Sequence, residues 1–291
     1  MEKSVTKSGV AFGSWEDAVR WLRNQPDKAQ LVRDSYYDDP LLAAAERYWR
    51  SDEWAAAREL LPPNRGHALD VGAGRGIASY ALAREGFHVT AVEPDSSSLV
   101  GAGAIRALAK ETALPIRVVE AVSEQLPFAD ASFDLVFARA ALHHTADLHQ
   151  ACREFARVLK PGGLFLAIRE HVISRHGDKK AFLENHPLHK LYGGENAFLL
   201  SEYIDAMRLS GLHVKYVFDY FSTPINFFPH TLRTLQNEIA NGIAGSDSRF
   251  SLVIKFFLRR SLVWAFLRRL LAAIDQRPGR LHSFLAVKGK P

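Results

Sequence analysis

The chain is poor in cysteine, with Cys152 alone among 291 residues. One thiol cannot build an intramolecular disulfide framework, and a reducing cytoplasm is the expected compartment. Long apolar runs are also missing. No uncharged stretch reaches the roughly 18 residues that a spanning helix needs, so none is expected. The opening MEKSVTKSGVAFGSWEDAVRW has no signal-peptide core. No internal repeat or low-complexity tract is present, and apolar residues at 47% suffice for a packed interior. The charge of +5 is not spread evenly. Eight basic residues and one acid between Arg249 and Arg280 carry +7, which leaves the remainder at −2. A uniformly basic nucleic-acid binder would be patterned differently.

The segment ALDVGAGRGIAS, residues 68 to 79, concentrates glycine instead. HALDV (67–71) reads as a short buried strand, and IASYALARE (77–85) as a helix stopped at Gly86. FHVTAVEPD (87–95) reads as a second strand ending on Glu93 and Asp95. A glycine loop between strand and helix lets a ligand lie against bare backbone, and an acid at the end of the second strand can hold ribose hydroxyls. The unit is therefore βαβ with an adenosine-type ligand. A dinucleotide loop needs G-x-G-x-x-G, whereas Gly72, Gly74 and Gly76 give G-x-G-x-G and Ile77 takes the third position. Asp70 sets a negative charge where a pyrophosphate would lie. A ligand with a cationic amino-acid end suits it better, and S-adenosylmethionine carries both an ammonium and a sulfonium.

On these residues the chain resembles class I S-adenosylmethionine-dependent methyltransferases. The resemblance runs from about 66 to 171 and takes in VVEAVSEQLPFADASFDLVFARAALHH (118–144) and ADLHQACREFARVLKPGGLFLAIREH (146–171). It implies an α/β fold: a Rossmann-like, doubly wound, seven-stranded, mostly parallel sheet. It also implies that Asp70, Gly72, Ala73, Gly74 and Gly76 hold the methionine end of the cofactor and that Glu93, with Pro94, holds the ribose. Leu126, Pro127 and Phe128 match a hallmark after the adenine turn. Where most relatives have an adenine-binding Asp, this chain has Val122, followed by Ser123, which can offer backbone and hydroxyl bonds instead. Ala138 and Arg139, at the end of the fourth strand, are expected to face the methionine end.

Methyl transfer is an in-line displacement, so the enzyme mainly aligns the acceptor and excludes water. A hydroxyl acceptor must also lose a proton, which a neutral imidazole can accept. Seven of the twelve histidines fall between 143 and 189. His143 and His144 read either as packing residues or as chemistry. In the chemical reading, His144 or His171 is the general base, with Glu170 orienting it. No H-x-x-x-H or H-x-H pair stands on a recognisable scaffold, and no metal site is expected. Arg139 and Arg169 read as partners of Glu170 or Asp134, or as an anion grip for the acceptor. His186 and Tyr192, in a long connection, are further candidates for the acceptor wall.

The remainder reads as additions to the core. Residues 1–62 form a helical extension, with a Ser-x-x-Asp box opening SWEDAVRWLRN and one helical stretch, PLLAAAERYWRSDEWAAARELL. Tyr36, Tyr37, Tyr48 and Trp49 could line this cover. The core spans 63–220 with an insertion at 172–197. A basic helical insertion follows at 221–280, and 281–291 is the last strand, antiparallel to its neighbours. The stripe Leu148, Cys152, Phe155, Leu159 marks a helix ended by Lys160 and the PGG after it, with Cys152 a buried spacer. Residues 249–280 read as a cap on the core or as a peripheral contact with anionic lipid. The function expected is O-methylation of a small-molecule or saccharide hydroxyl. The alternatives are a lipid-linked, amine or carboxylate acceptor, or a binder without turnover. Nucleic acid is not an expected partner.

Overall fold

Four helices precede the sheet in the computed structural model, which describes residues 12–192, 196–245 and 249–289. Residues 1–11, read above for a leader, and the Tyr192 side chain lie outside that description. α1 (Trp15–Arg23) starts where the sequence places it, with Ser14 Oγ accepting the Asp17 N–H at 3.1 Å. Its buried stripe is Ala18, Val19 and Leu22. α2 (Ala29–Asp34) is a short second helix. The stretch expected as one helix is two, α3 (Leu41–Trp49) and α4 (Asp52–Arg58). The break is at Ser51, whose hydroxyl accepts the Trp54 N–H at 3.1 Å. A serine followed by two acids makes a better helix start than a helix interior, and here local capping overrides the apolar period.

The sheet then builds by alternation. β1 (His67–Val71) leads to α5 (Ile77–Arg84), β2 (His88–Val92), α6 (Ala102–Thr112) and β3 (Ile116–Val119). β4 (Phe133–Arg139), α7 (Leu148–Val158) and β5 (Leu159–Ile173) follow. The long connection holds α8 (Asp178–Asn185) and α9 (His189–Tyr192) before β6 (Phe198–Leu199), α10 (Leu200–Leu209) and β7 (Leu212–Phe218). α11 (Pro224–Phe227), α12 (Leu232–Ala244), α13 (Arg249–Leu258), α14 (Ser261–Ile274) and β8 (Arg280–Lys288) complete the chain. The strand order is β3-β2-β1-β4-β5-β8-β7, and β8 runs antiparallel to both β5 and β7. The fold is α/β and mostly parallel. An eighth strand joins the expected seven: β6 adds two residues beside Val172 and Ile173 of β5. The chain reverses its winding between β1 and β4, the place where open parallel sheets bind ligands.

Each sheet face has its own core. One gathers Cys152, Phe155, Phe165, Tyr203 and Phe284; the other gathers Tyr48, Trp54, Tyr80, Phe87 and Phe137. The second core includes α3 and α4, so that part of the extension belongs to the hydrophobic interior, while α1 and α2 bury Ala18, Leu22 and Val32 in a separate cluster with Leu191. In α7, Leu148, Cys152 and Phe155 are buried as the stripe requires. The helix stops at Val158, however, and Leu159 is already extended. Lys160 and the glycines therefore belong to the start of β5, and Lys160 Nζ grips Asp134 at 2.8 and 2.9 Å.

The insertion forms only a satellite core, around Phe221, Phe227, Leu235 and Trp264. The cap expected over 249–280 holds in part. α14 buries Trp264, yet Phe250, Leu262 and Phe266 are 76%, 84% and 74% exposed. A two-helix hairpin with one anchoring aromatic cannot turn every apolar side chain inward.

Burial pushes the Cys152 thiol up to about 12. An aromatic disulfide reagent is expected to leave native protein unmodified and to react fully once denaturant opens the core. Rapid reaction of native protein would show that α7 does not pack as described.

Candidate functional site

The turn after β1 brings backbone, carboxylates and imidazoles around one cavity of about 680 Å³. Gly72 stands at φ +62°, and a Cβ there would lie 2.8 Å from the Cβ of Ala141. Gly74, at φ +54°, would meet nothing nearer than the Val100 carbonyl at 3.9 Å, so its missing side chain leaves open space on the cavity side. Both positions favour glycine because positive φ is strained for other residues. Ala73 lines the cavity between them, and Gly76 caps α5.

Two carboxylates face this loop. Asp70 is buried, with the Ser79 hydroxyl donating to it at 2.5 Å. Burial pushes its carboxyl up to about 7 against the pull of that hydroxyl. Glu93 accepts the Gly74 N–H at 2.7 Å and the Asp95 N–H at 3.1 Å, and burial raises it as well. A carboxylate offers about four acceptor positions, so these two bonds leave capacity for hydroxyls. Two buried acids held above their ordinary range, beside a bare loop, fit a ligand carrying both a cation and a diol.

Pro94 leads into a smaller cavity of about 130 Å³, with Val71, Val122, Ser123 and Leu142 in its wall. This is the end where adenine is expected. Val122 is 49% exposed and supplies an apolar edge. The Ser123 hydroxyl donates to Glu124 at 3.0 Å, and Glu124 accepts the Ala146 N–H at 2.7 Å. Ser123 can therefore offer a base chiefly its backbone. Ala138 is not in the cavity wall: it is fully buried between Val71 and Ala167, while Ala140 and Ala141 line the space. β4 ends at Arg139, as expected, and of the two residues placed there only Arg139 lines the cavity.

The arginine readings change most. Neither Arg139 nor Arg169 bonds Glu170 or Asp134 among the described contacts; both turn to Glu53 of α4. Arg139 donates to both Glu53 oxygens, at 2.6 and 3.1 Å, and stands over the rings of Tyr36 and Tyr48. Burial alone would lower Arg139, but the charge and hydrogen bonds of Glu53, together with Tyr48 and Tyr36, outweigh it and raise the group. Arg169 lies 3.7 Å from Glu53 and donates to the carbonyls of Ile225 and Phe228. Asp134 is taken by Lys160 and the His67 N–H. Both guanidiniums still edge the cavity, so two positive charges share one carboxylate there. Arg75, inside the glycine loop, was not a predicted site residue. It ties the loop to the cover through the carbonyls of Tyr36 and Asp38 and the carboxylate of Asp39.

The opposite end of the cavity is made of imidazoles. His143, His144, His171, His186 and His189 all line it. Glu170, fully buried, accepts the Ala141 N–H at 3.0 Å and the His143 N–H at 3.2 Å. Glu170 Oε2 also meets His143 Nδ1 at 2.9 Å, and while the carboxylate is ionised that ring nitrogen is the donor. Glu170 is thus a positioning residue. Burial raises it to about 7 and pushes His143 well below the usual histidine range. Burial also lowers His171 to about 3, and its Nδ1 donates to the Gly279 carbonyl at 2.8 Å. His186 Nδ1 accepts the His189 N–H at 3.2 Å, at the start of α9. His189 was not picked out from sequence; its nearest signal is the three-residue spacing from His186. Tyr192 closes the same helix.

Strain collects at this site. Five non-glycine residues have positive φ among those described, and Tyr36, Ala140 and Arg169 line the cavity. Arg169 lies within the bulge where β5 slips against β8, between Ala167 and Glu170. Bulges re-aim side chains, and here residue 169 reaches the cover while residue 170 reaches His143.

Comparison with known proteins bears on the family and the fold. Residues 69–167 match the family model of a methyltransferase domain. A ubiquinone/menaquinone biosynthesis C-methyltransferase, UbiE of Brucella anthropi, is 34% identical over 159 residues, which span 50% of this chain and 59% of that protein. The enzyme of the same name from Bartonella tribocorum is 35% identical over 173 residues, spanning 54% of this chain and 65% of the relative. The chain thus spans less than two thirds of the length of either relative. Among solved structures, a geranyl diphosphate methyltransferase in complex with SAM aligns with TM-score 0.54 at 18% identity, covering 88% of this chain and 94% of the other. The [4+2]-cyclase SpnF aligns over 100% of both chains with TM-score 0.56, also at 18% identity. At that identity the likeness concerns fold, and one fold hosts different chemistries.

Asp70 provides a pH test with a defined sign. Before a cation binds, its carboxyl titrates at about 7. A bound ammonium favours the ionised form, so S-adenosylmethionine must displace a proton below that pH. Affinity is expected to rise with pH by at most about tenfold per unit as pH approaches 7. It levels off until the ligand's own amino group, at about 7.7–8.0 when unperturbed, loses its proton. Titration calorimetry across this window checks it, with Asp70→Asn flattening the acid limb. Affinity independent of pH in the native protein would remove Asp70 from the cation's surroundings.

Proposed function

We propose that the chain, whose residues 69–167 match a methyltransferase domain, is a class I S-adenosylmethionine-dependent methyltransferase that methylates an oxygen of a small-molecule or saccharide acceptor. The observation that carries the reading is one continuous cavity, with Gly74, Asp70 and Glu93 at one end and the imidazoles at the other. When bound, S-adenosylmethionine supplies an electrophilic methyl carbon on a sulfonium, and the acceptor oxygen replaces sulfur on that carbon. Asp70 and the glycine loop would hold the amino-acid tail, Glu93 the ribose, and the apolar wall at Val122 the base. Tyr36 and Arg75 fasten the cover over the loop and keep water from the reacting atoms.

His144 has the geometry of a proton acceptor. It is exposed to solvent and lines both cavities, so it stands where the cofactor end meets the acceptor end. His143 and His171 are both buried more deeply than His144, with Nδ1 facing Glu170 and the Gly279 carbonyl. In the proposed step the acceptor hydroxyl proton passes to His144 as the oxygen–carbon bond forms and the carbon–sulfur bond breaks. The surplus positive charge of Arg139 and Arg169 over Glu53 favours an anionic group nearby, on the acceptor or on the amino-acid tail.

Homocysteine release against a panel of sugars, nucleotide sugars, phenols and lipids tests this reading. With a reactive acceptor, His144→Ala is expected to lower kcat by about 10²–10⁴-fold with S-adenosylmethionine affinity unchanged. An unaltered rate would overturn the base assignment, and cofactor binding with no turnover on any acceptor would overturn the enzyme reading. Arg139→Ala is a poor probe, because it strips a buried carboxylate of its main partner.

The exposed face of α13 and α14 favours a second reading, in which the acceptor is lipid-borne and the protein works at an anionic membrane surface. No helix among the described residues is long and apolar enough to cross a membrane. Phe250, Phe256, Leu262 and Phe266 nevertheless project beside Arg259, Arg260 and Arg269, which are also exposed. Apolar and cationic side chains on one hairpin match anionic lipid headgroups and the acyl layer beneath them. The C-methyltransferase relatives, named for ubiquinone and menaquinone biosynthesis, are consistent with such an acceptor. Flotation should show binding to mixed phosphatidylcholine–phosphatidylglycerol vesicles at low salt, weakened by high salt and lost in Leu262→Ser with Phe266→Ser. Absence of binding, or a stable dimer covering the same face, would dismiss it.

A further inference from the structure

We propose that His143, His171 and His189 form a binding site for a divalent transition metal, zinc by the chemistry of its donors, at the acceptor end of the cavity. The inference rests on the reading of that cavity as the place of reaction and adds a ligand to it. One ligand nitrogen from each ring lies within 4.8 Å of the other two. Tetrahedral zinc with Zn–N of about 2.0–2.1 Å needs nitrogens about 3.4 Å apart, so binding would draw the three rings together by up to about 1.4 Å. Three imidazoles are a recognised donor set for zinc that keeps a fourth position open.

The outer contacts are what make this more than a crowd of rings. His143 Nδ1 lies 2.9 Å from Glu170 Oε2; with that carboxylate ionised the ring nitrogen donates, and Nε2 then carries the lone pair. That atom is buried and has no hydrogen-bond partner. Without a ligand, such an acceptor is left unsatisfied. His171 Nδ1 donates to the Gly279 carbonyl at 2.8 Å, which leaves Nε2 as its ligating nitrogen. A ring whose far nitrogen is held by a carboxylate or carbonyl is how proteins orient metal-bound histidine. The rings come from the turn after β4, from β5 and from α9. No short sequence motif would reveal such a set. His186, 3.9 Å from His189 between ring centroids, and His144, 4.2 Å from His143, flank it.

At this position the metal would bind the acceptor oxygen in its open site and make the hydroxyl easier to deprotonate. The proton would still leave through His144.

The test uses the full untagged chain, stripped with chelator and titrated with Co²⁺ and then Zn²⁺. Visible d–d bands of low-symmetry Co²⁺ are expected, displaced by zinc, with about one zinc per chain by mass spectrometry after dialysis. His171→Gln and His189→Gln should each abolish the bands. Glu170→Gln, which acts only through His143, should weaken Co²⁺ binding by about 10–100-fold. His88→Ala, on the exposed start of β2, should change nothing. Circular dichroism and S-adenosylmethionine calorimetry on each variant establish that it is folded. No bands in native protein, or bands that survive both substitutions, would overturn the site. Cofactor binding without metal binding sinks this inference alone, while metal binding without cofactor binding sinks the methyl-transfer reading alone.

Discussion

Glu53 has no exposed surface and lies between two guanidiniums that arrive from neighbouring strands, Arg139 at the end of β4 and Arg169 within β5. A carboxylate so placed is tolerable only because the arginines meet it, and removing one partner of a buried pair typically costs about 3–5 kcal/mol. This contact makes the N-terminal helices a wall of the cavity. α4 brings Glu53 to the sheet, Trp54 packs on Phe137, and Tyr36 and Tyr48 close over Arg139. Arg75 then ties the glycine loop to the same cover. Cofactor loop, strand ends and cover form one rigid frame, and the positive φ of Tyr36 and Arg169 is where the frame holds strain.

Inside that frame the polar groups divide by role. Asp70 and Glu93 sit at the glycine end, both raised by burial, and suit a cation and a diol. Glu170 at the other end is spent on Ala141 and His143 and acts by holding an imidazole in one tautomer. Asp70 and Glu170, both fully buried and both pushed up to about 7, thus do different work because Asp70 lines the cavity while Glu170 is turned to the His143 segment. Both ends line the same cavity, which suits a donor and an acceptor that must meet in line.

The βαβ unit was legible because its signals are local. Gly72, Gly74 and Gly76 mark a turn, the apolar runs either side mark strands, and Glu93 ends the second of them. The stripe Leu148, Cys152, Phe155 was readable for the same reason, since helical period and burial coincide there. Failures came where a distant partner decides. Ser51 starts a helix inside an apolar period, and Arg139 finds a carboxylate 86 residues away. Nothing within reach of Arg139 along the chain announces Glu53. The clustered histidines were visible as a count, but their convergence needs the bulge at Arg169 and the turn into α9.

By itself, then, the sequence determined the order of strands and helices, the glycine loop with its acidic strand end, and the basic character of the last insertion. These follow from periodicity, turn chemistry and charge, which act over a few residues. Only the tertiary structure decided which charges pair, which histidines meet and which faces of α13 and α14 stay open. Those outcomes depend on competition for partners among groups far apart in the chain, and buried charges and lone pairs take whatever the packed sheet places within about 3 Å of them.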